Sequence, residues 1–445
     1  MRKLLLPILG VLLIALVAIG LFRTGSTPPA KAPPRTTPSD PLAIVLTPLG
    51  GTEEVDRQIA DLQVKIRKSP ERPALLEQLG WIFVNKARIS SDPGYYKLAE
   101  QCADALELKT PGAADAELLR GHIFHALHRF KDAERVARKL VQQREFVFDY
   151  ALLGDALMEQ GKLDDAVEAY QKMVDLKPCL QTYSRVAHMR WLKGELPGAV
   201  RAIRLAVSGG SPREPEPVAW AYARLAFYEL QSGKTDLALQ ATQLATQFVP
   251  DYAAALLQRG RVLMAQGKTV EAVTALRAAA EKSPLPEYLW ALAEGLRSEG
   301  KVAEAEQAEK KLRATGAAND PRTLSLFLAS RGEKLDVALR LAEAELTTRQ
   351  DIFTRDALAW AQLATGDLAE AQSNLRLALS QGTQDGRLFY HAGVIEAAAG
   401  KSDEAKKYFA KASALEQMLL PSERQALEHK IALLPPTGAT RVSSN

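Results

Sequence analysis

The stretch over residues 150–178, YALLGDALMEQGKLDDAVEAYQKMVDLKP, decides the fold of this chain. Small and apolar residues at spacings of three, four and seven mark one face of a first helix, namely Tyr150, Leu153, Gly154 and Leu157. Gly161 marks a turn, and Ala166 and Tyr170 then share one face of a second helix. The pattern therefore predicts two antiparallel helices, and Pro178 ends the second of them.

The small residue Ala166 recurs along most of the chain at a nearly constant step. Its counterparts are Ala99, Ala133, Ala199, Ala238, Ala272, Ala305, Ala338, Ala371 and Ala405, at steps of 34, 33, 33, 39, 34, 33, 33, 33 and 34 residues. A fixed period of this size is typical of stacked repeat proteins, which act through the long surface of the stack. We count about ten repeats between Arg72 and Leu420.

The repeat resembles the tetratricopeptide repeat (TPR), a helix-turn-helix unit of about 34 residues. The resemblance rests on the small residues Gly154 and Ala166, the aromatic ring of Tyr170 and the closing Pro178. Two helices joined by a tight turn approach most closely where side chains are smallest, so a Leu at Ala166 would cost about 1–3 kcal/mol. The resemblance implies an all-α, right-handed superhelical TPR solenoid of about ten repeats.

Three departures from the period predict local changes in the stack. About seven extra residues around 91–96 are expected to lengthen the turn of the first repeat. About six added residues within 208–217 are expected to split the stack into two blocks. The eighth repeat has Leu326 at the small position, and its Gly332 stands one residue early.

The first 23 residues predict a membrane anchor. Residues 4–22 carry no charge and follow Arg2 and Lys3. About 20 apolar residues in a helix span a bilayer core, and the basic start favours export of everything that follows. The alternative is secretion after cleavage of a signal peptide, although the apolar run is long for one and the small-x-small site at 30–32 precedes prolines.

The sequence predicts one transmembrane helix followed by a tethered solenoid. The predicted segments are a signal anchor over 1–23, a Pro-rich linker over 24–51, a leading helix over 52–71, about four repeats over 72–207, an inter-block loop over 208–217, about six repeats over 218–420, a capping helix over 421–434 and a disordered tail over 435–445. The leading helix is predicted from apolar residues at helical spacing, Val55, Ile59, Leu62 and Ile66.

Signatures of catalysis, cofactors and metals are weak. Gly295 to Lys301 imitates a phosphate loop, but Val302 stands where a Ser or Thr would contact magnesium, and the repeat explains both glycines. His122, His125 and His128 are spaced so that two of them could bind zinc, but no acidic or Cys partner is close in sequence. We therefore expect no enzyme, no cofactor and no metal, and zinc at these histidines is the alternative.

In the TPR family, the first helix of each repeat lines a concave groove. The residues at the matching positions are Trp81, His122, His125, Asp155, Met158, His188, Trp191, Trp220, Phe227, Arg261, Met264, Trp290, Glu294, Arg297, Trp360 and Tyr390. All five tryptophans of the chain are in this set, which favours aromatic anchoring of a bound segment. The alternative is that single members pack against the next repeat.

Chaperone tails and nucleic acids are disfavoured as partners. The carboxylate clamp of some TPR proteins needs Lys, Asn and Arg, and the matching slots hold Glu77, Trp81, Leu118 and Ala151. The net charge of +4 gives no support for nucleic-acid binding, which needs a clustered basic surface.

Together these features predict a non-catalytic protein–protein interaction scaffold. It would be anchored in the inner (cytoplasmic) membrane by a single span, with the TPR groove on the exported side, periplasmic or extracellular, and a bacterial envelope as its setting. The groove would bind a segment of a partner protein. The alternative is a TPR assembly factor for an envelope or secretion system, in secretion, polysaccharide export or cytochrome maturation.

Overall fold

The computed structural model describes residues 40–434. All regular secondary structure assigned within these residues is helical. The helices are α1 Pro41–Val45, α2 Glu54–Lys68, α3 Pro73–Ser90, α4 Gly94–Lys109, α5 Ala114–Ala126, α6 Phe130–Gln143, α7 Val147–Glu159, α8 Leu163–Leu176, α9 Leu180–Leu192, α10 Leu196–Ser208, α11 Pro215–Gln231, α12 Thr235–Phe248, α13 Ala253–Ala265, α14 Thr269–Lys282, α15 Pro286–Ser298, α16 Val302–Asn319, α17 Pro321–Arg331, α18 Leu335–Thr348, α19 Ile352–Thr365, α20 Leu368–Ala378, α21 Gly386–Ala398, α22 Ser402–Ser413, the 3-10 helix η1 Glu416–Met418 and α23 Pro421–Ala432. The predicted anchor over 1–23, the linker up to residue 39 and the tail over 435–445 lie outside the described residues.

Helices α3 to α22 form ten consecutive helix pairs, which confirms the all-helical solenoid over the described residues. The close approach of each pair depends on small residues. A β-carbon on Gly154 of α7 would lie only 2.3 Å from Cε1 of Tyr170 on α8. Ala166, beside it on α8, is fully buried. The repeating small residue is therefore a packing requirement of the pair.

Two helices precede the repeats and cover the first of them. In α2 the side chains predicted for its apolar face are buried, namely Val55, Ile59, Leu62 and Ile66. In α1, Val45 is only 1% exposed, and the side-chain amide of Gln63 donates to the carbonyls of Val45 and Thr47 at 2.8 and 2.9 Å. The predicted extent of the linker, up to Gly51, is therefore corrected. The apolar residues after Pro41 form a short helix that packs against α4.

The insertion in the first repeat lengthens its helices and not its turn. Helix α3 has 18 residues and α4 has 16, and only residues 91–93 separate them. The longer turn predicted around 91–96 is therefore wrong. The added length of α3 brings Arg88 to 3.0 Å from Glu216 on α11, across the stack.

The long connection between α10 and α11 does not divide the core. One cluster of buried side chains includes Ile203 of α10 together with Val218 and Leu225 of α11. The split into two blocks predicted at 208–217 is therefore not observed, because the added residues are shared between a longer connection and a longer α11, which stays packed on α10. Between residues 40 and 434, no helix is both long and apolar enough to cross a membrane.

Candidate binding cavity

Turns inside the early repeats lie against connections that come five repeats later. Ser91 Oγ, in the turn of the first repeat, lies 2.8 Å from Ser283 Oγ, between the sixth and seventh repeats. In the third repeat, the carbonyl of Glu159 accepts a hydrogen bond of 2.9 Å from the main-chain nitrogen of Gln350, between the eighth and ninth repeats. Successive turns of the superhelix therefore touch. We call this line of contact the seam.

The seam continues through the fourth and fifth repeats. The Thr383 hydroxyl, between the ninth and tenth repeats, donates to the carbonyl of Leu192 at the end of α9. The Gln417 side chain, in η1, donates to the carbonyl of Gln231 at the end of α11 at 2.9 Å. These bonds satisfy carbonyls at helix C-termini that have no partner within their own helix.

Two turn positions need glycine for two reasons: the backbone conformation at each position and the close approach of the opposite chain segment at the seam. Gly161 and Gly194 have φ angles of 75° and 79°, which favour glycine. A β-carbon on Gly161 would lie 2.7 Å from the carbonyl oxygen of Gln350, and one on Gly194 would lie 2.5 Å from that of Gly382. Gly267 has the same backbone conformation, with a φ of 74°, but open space around it.

Arg349 joins the two sides of the seam electrostatically. Its Nε lies 2.6 Å from Oε2 of Glu159 in the third repeat. Its Nη1 lies 3.4 Å from Glu345, and its Nη2 lies 3.3 Å from Nε2 of His128 in the turn of the second repeat. Burial lowers the pKa of His128 to about 4, and the charge of Arg349 acts in the same direction. The imidazole is therefore a neutral partner at neutral pH.

Inside this superhelical turn lies a cavity of about 590 Å³. Its volume is within the range of small-molecule sites, about 300–1,000 Å³. Charged residues dominate its wall, with six arginines and six carboxylates: Arg224, Arg261, Arg322, Arg349, Arg355, Arg387, Glu159, Glu287, Asp320, Asp351, Asp356 and Asp385. Four large aromatic side chains also line it, namely Trp191, Phe227, Trp290 and Phe353.

Trp191 is the centre of an aromatic cluster in the wall of the cavity. Its ring stacks on Phe353 of α19, with centroids 5.7 Å apart and planes 14° apart, and meets Phe227 of α11 edge-on at 5.3 Å. Its indole nitrogen donates to Oε1 of Gln231 at 2.7 Å. Only 5% of the residue is exposed. Trp191 therefore packs the ninth repeat onto the fourth and fifth.

His188 and Arg224 lie beside this cluster. Nη2 of Arg224 is 3.4 Å from Nδ1 of His188. Burial lowers the pKa of His188 to about 3, and the positive charge of Arg224 lowers it further. A neutral imidazole thus faces the guanidinium of Arg224. The imidazole carries no negative charge that would balance the positive charge of the guanidinium.

The C-terminal segment covers part of the inner face of the stack. The main-chain nitrogen of Ser422, at the start of α23, donates to Oε2 of Glu294 on α15 at 3.0 Å. Met418 of η1 packs against Leu230 of α11 and Val262 of α13. The inner helices of the fifth to seventh repeats are therefore contacted by the protein's own C-terminal segment.

Six residues of the predicted groove line the cavity: Met158, His188, Trp191, Phe227, Arg261 and Trp290. The sequence thus places them on one inner surface, as the TPR resemblance implies. Trp191 and Trp290, however, are only 5% and 4% exposed. Their expected role as exposed anchors is corrected, because the later repeats already cover them.

The first three repeats hold a second group of the predicted residues, away from the cavity. Trp81 meets His122 edge-on, with ring centroids 5.0 Å apart. Asp155 forms an ion pair of 2.5 Å with Arg185. Burial opposes ionisation of Asp155, but the Arg185 charge prevails and lowers its pKa to about 2. Burial also lowers the pKa of His122 to about 3.

The remaining predicted residues are spread over the later repeats and the second repeat. Glu294 is only 2% exposed and Tyr390 only 6%. Arg297 donates from Nε to Oε1 of Glu309 at 3.0 Å, and Trp360 stacks on His391 at 4.0 Å. The others pack at the edges of apolar clusters or against an aromatic ring: Trp220, Met264 and His125. The predicted set is thus divided among several places.

The three histidines of the second repeat do not face one common point. His122 lies against Trp81, and His125 and His128 lie against Phe130 at 5.3 and 5.5 Å. Among residues 40–434, no group of three His, Cys, Asp or Glu side chains is placed to hold a metal ion.

Phe353, Arg224 and Arg355 are among the cavity residues that the groove prediction does not include. Phe353 stands at the second position of its repeat, as Trp220 does in the fifth, so the repeat register alone could have indicated it. Arg224 and Arg355 stand at positions that the TPR resemblance does not assign to the groove. They reach the cavity because the superhelix closes, which the repeat pattern does not encode.

Comparison with known proteins identifies the repeat. Family models of the tetratricopeptide repeat match residues 150–178, 224–285 and 257–321. These segments therefore contain tetratricopeptide repeats, a unit that is typical of protein–protein interaction scaffolds. No curated protein matches the sequence.

The solved structures with some similarity overlap this chain only in part. A crystal structure of MamA is 23% identical over 37% of this chain and 94% of that chain, with a TM-score of 0.30. A second crystal structure of MamA is 22% identical over 38% and 92%, also at 0.30. A tetratricopeptide repeat protein from Parabacteroides merdae is 16% identical over 60% and 99%, at 0.33.

Proposed function

We propose that this chain is a non-catalytic scaffold that binds a segment of a partner protein on the inner face of its TPR solenoid. The observation that carries the proposal is the tetratricopeptide repeat itself, matched over 150–178 and 224–321. Such helix pairs expose one continuous surface instead of a pocket built for chemistry.

The inner-face aromatic residues left half-buried are the proposed anchors. Trp81 of α3 and Trp220 of α11 each stand at the edge of an apolar cluster and keep part of their surface accessible. Large aromatic side chains that are only partly covered contribute most to protein interfaces. Trp191 is excluded as an anchor because it is already covered by Phe353.

Cross-linking in native membranes tests this assignment. The full chain, with an affinity tag at its C-terminus, is cross-linked and purified, and the proteins captured with it are identified by mass spectrometry. Trp81→Ala combined with Trp220→Ala should reduce capture of a specific partner by about tenfold or more. The matched control, Leu108→Ala with Val270→Ala, removes side chains that are 71% and 65% exposed on outer helices.

The two double variants distinguish binding on the inner face of the solenoid from binding on its outer face. Loss of capture in the Trp pair with unchanged capture in the outer pair supports the inner face. Loss in the outer pair alone places the partner on the convex side and contradicts the proposal. Equal capture by all variants contradicts it as well.

We further propose that residues 1–23 anchor the scaffold in the inner membrane and that the repeats lie on its exported side. Support comes from the uncharged run over 4–22 and the basic Arg2 and Lys3 before it. A reporter that is active only outside the cytoplasm, fused after Asn445, should be active and should sediment with membranes. An inactive reporter contradicts the topology, and an active reporter in the soluble fraction indicates a cleaved signal peptide.

A further inference from the structure

Four of the six cavity arginines have a carboxylate partner. The pairs are Arg261 with Glu287 at 2.7 Å, Arg322 with Asp351 at 3.1 Å, Arg349 with Glu159 at 2.6 Å, and Arg387 with Glu423 at 2.7 Å. Arg224 and Arg355 have no carboxylate within ion-pair distance among the described residues. Arg355 donates only to the neutral amide oxygen of Asn374, at 3.0 Å.

The other cavity carboxylates are engaged elsewhere. Asp320 accepts a hydrogen bond from the main-chain nitrogen of Thr323 in the first turn of α17, and Asp385 accepts from those of Arg387 and Leu388 in the first turn of α21. Asp356 accepts from Nδ1 of His391 at 2.9 Å. They therefore satisfy helix N-termini and an imidazole, and the guanidinium groups of Arg224 and Arg355 stay without a counterion.

Arg224 has aromatic rings where a counterion would be expected. Its Cζ lies 4.9 Å from the ring centroid of Phe227, 5.2 Å from that of Tyr228 and 5.7 Å from that of Trp191. Among residues 40–434, its side-chain hydrogen-bond contacts are two long ones, at 3.4 Å to His188 and to the Tyr228 hydroxyl, and its Nε is buried without a partner. A guanidinium carries five N–H donors, so most of them are left unused.

We propose that the cavity binds a small organic anion, whose negative group pairs with Arg224 and whose apolar body lies against Trp191 and Phe227. A half-buried charge without a counterion is unfavourable, and an anion would reduce that penalty at Arg224, whose Nε is buried. Arginine forms bidentate, charge-assisted bonds with carboxylates and phosphates. This site is separate from the proposed protein-binding surface and does not depend on a partner.

Benzoate is a suitable probe because it combines one carboxylate with one flat apolar ring. Titration calorimetry on the purified full-length protein, with no partner protein present, measures its affinity. Benzyl alcohol tests the ring without the charge, and inorganic phosphate tests the charge without the ring. Benzoate should bind, and each partial probe should bind at least about tenfold more weakly.

Arg224→Gln should weaken benzoate binding by about tenfold or more, and Arg340→Gln, an exposed arginine outside the cavity, should leave it unchanged. If Arg224→Gln does not fold, Arg224→Lys, which keeps the charge but loses the bidentate fork, should also weaken benzoate binding. Absence of benzoate binding to the wild-type protein, or equal binding by the cavity variants, would overturn the proposal. If benzyl alcohol binds as tightly as benzoate, the site does not require a negative charge on its ligand. If inorganic phosphate binds as tightly as benzoate, the site does not require an apolar body.

Discussion

The carbonyl of Glu159 in the third repeat accepts a 2.9 Å hydrogen bond from the main-chain nitrogen of Gln350, between the eighth and ninth repeats. This contact joins two successive turns of the superhelix. Together with the stacking of Trp191 on Phe353, it turns the groove implied by the repeats into a cavity with walls from both turns. The seam therefore decides which inner-face residues remain accessible.

Substitution of Gly161 tests the close approach at the seam. Gly161→Ala and its control Gly267→Ala place the same side chain at φ angles of 75° and 74°. The control should lose about 1–2 kcal/mol from backbone strain alone. Gly161→Ala should lose about 1–3 kcal/mol more, because its β-carbon would meet the Gln350 carbonyl at 2.7 Å.

Urea unfolding followed by circular dichroism gives the comparison. Since repeat proteins can unfold in steps, the midpoints of the variants are compared at each transition. Equal midpoints for the two glycine variants would show that position 161 has free space around it, contrary to the structure.

Removal of the Trp191 ring should destabilise the chain strongly. Trp191→Ala should cost about 3–5 kcal/mol, because the side chain is only 5% exposed and its removal leaves a void between the fourth, fifth and ninth repeats. Trp191→Phe should cost less, since it keeps most of the contact with Phe353 and loses mainly the hydrogen bond to Gln231. Thermal unfolding measures both, with Leu108→Ala, 71% exposed, expected within about 0.5 kcal/mol of wild type. A Trp191→Ala protein as stable as that control would contradict the buried position.

Stability should fall as the pH drops below about 6.5, because the fold keeps the half-buried His188 neutral beside Arg224. The pKa of His188 is lowered to about 3 in the fold, so the unfolded chain binds its proton first. Stability from this group is complete above the unfolded pKa of 6.5 and is lost progressively down to about pH 3. His188→Gln should therefore flatten the decline between about pH 6.5 and pH 4.5.

Urea midpoints across that pH range provide the measurement. His429→Gln, which changes an exposed histidine on α23, is the matched control and should leave the decline as it is in the wild type. A His188 ring that titrates near pH 6.5 in NMR spectra of the folded protein would be inconsistent with its burial beside Arg224.

The C-terminal segment should stabilise the inner face it covers. Met418→Ala removes contacts with Leu230 and Val262 and should cost about 1–2 kcal/mol. Ile431→Ala, at a position 41% exposed on α23, should cost under about 0.5 kcal/mol. Hydrogen exchange of α11 and α13 amides should rise in the first variant only. Unchanged exchange in Met418→Ala would mean that η1 does not rest on these helices.

Much of the fold was predictable because the repeat is a local pattern. Small residues such as Gly154 report the crossing of two neighbouring helices, and turn glycines such as Gly161 report a backbone conformation. Both lie within one repeat, so their spacing in the sequence reveals them. The same register also located cavity residues such as Phe227.

The closure of the superhelix was not predictable from the same pattern. It depends on contacts between residues five repeats apart, such as Arg349 with Glu159, and no period in the sequence marks them. For that reason the repeat pattern predicts an exposed Trp191 and gives no indication of Arg224 and Arg355 in the cavity. The extra residues of the first repeat were likewise assigned to a turn, since a helix extension and a longer turn add the same length.

A disulfide between the serines at the seam tests the closed superhelix most directly. Ser91 and Ser283 have their γ-oxygens 2.8 Å apart, so Ser91→Cys with Ser283→Cys should form an intramolecular disulfide under mild oxidation. The native Cys179 is replaced by Ser, and Ser91→Cys with Ser208→Cys serves as the control pair. The closed seam predicts a bridged monomer, seen by mass spectrometry, for the first pair alone. A first pair that stays reduced while the protein is folded would contradict the closure.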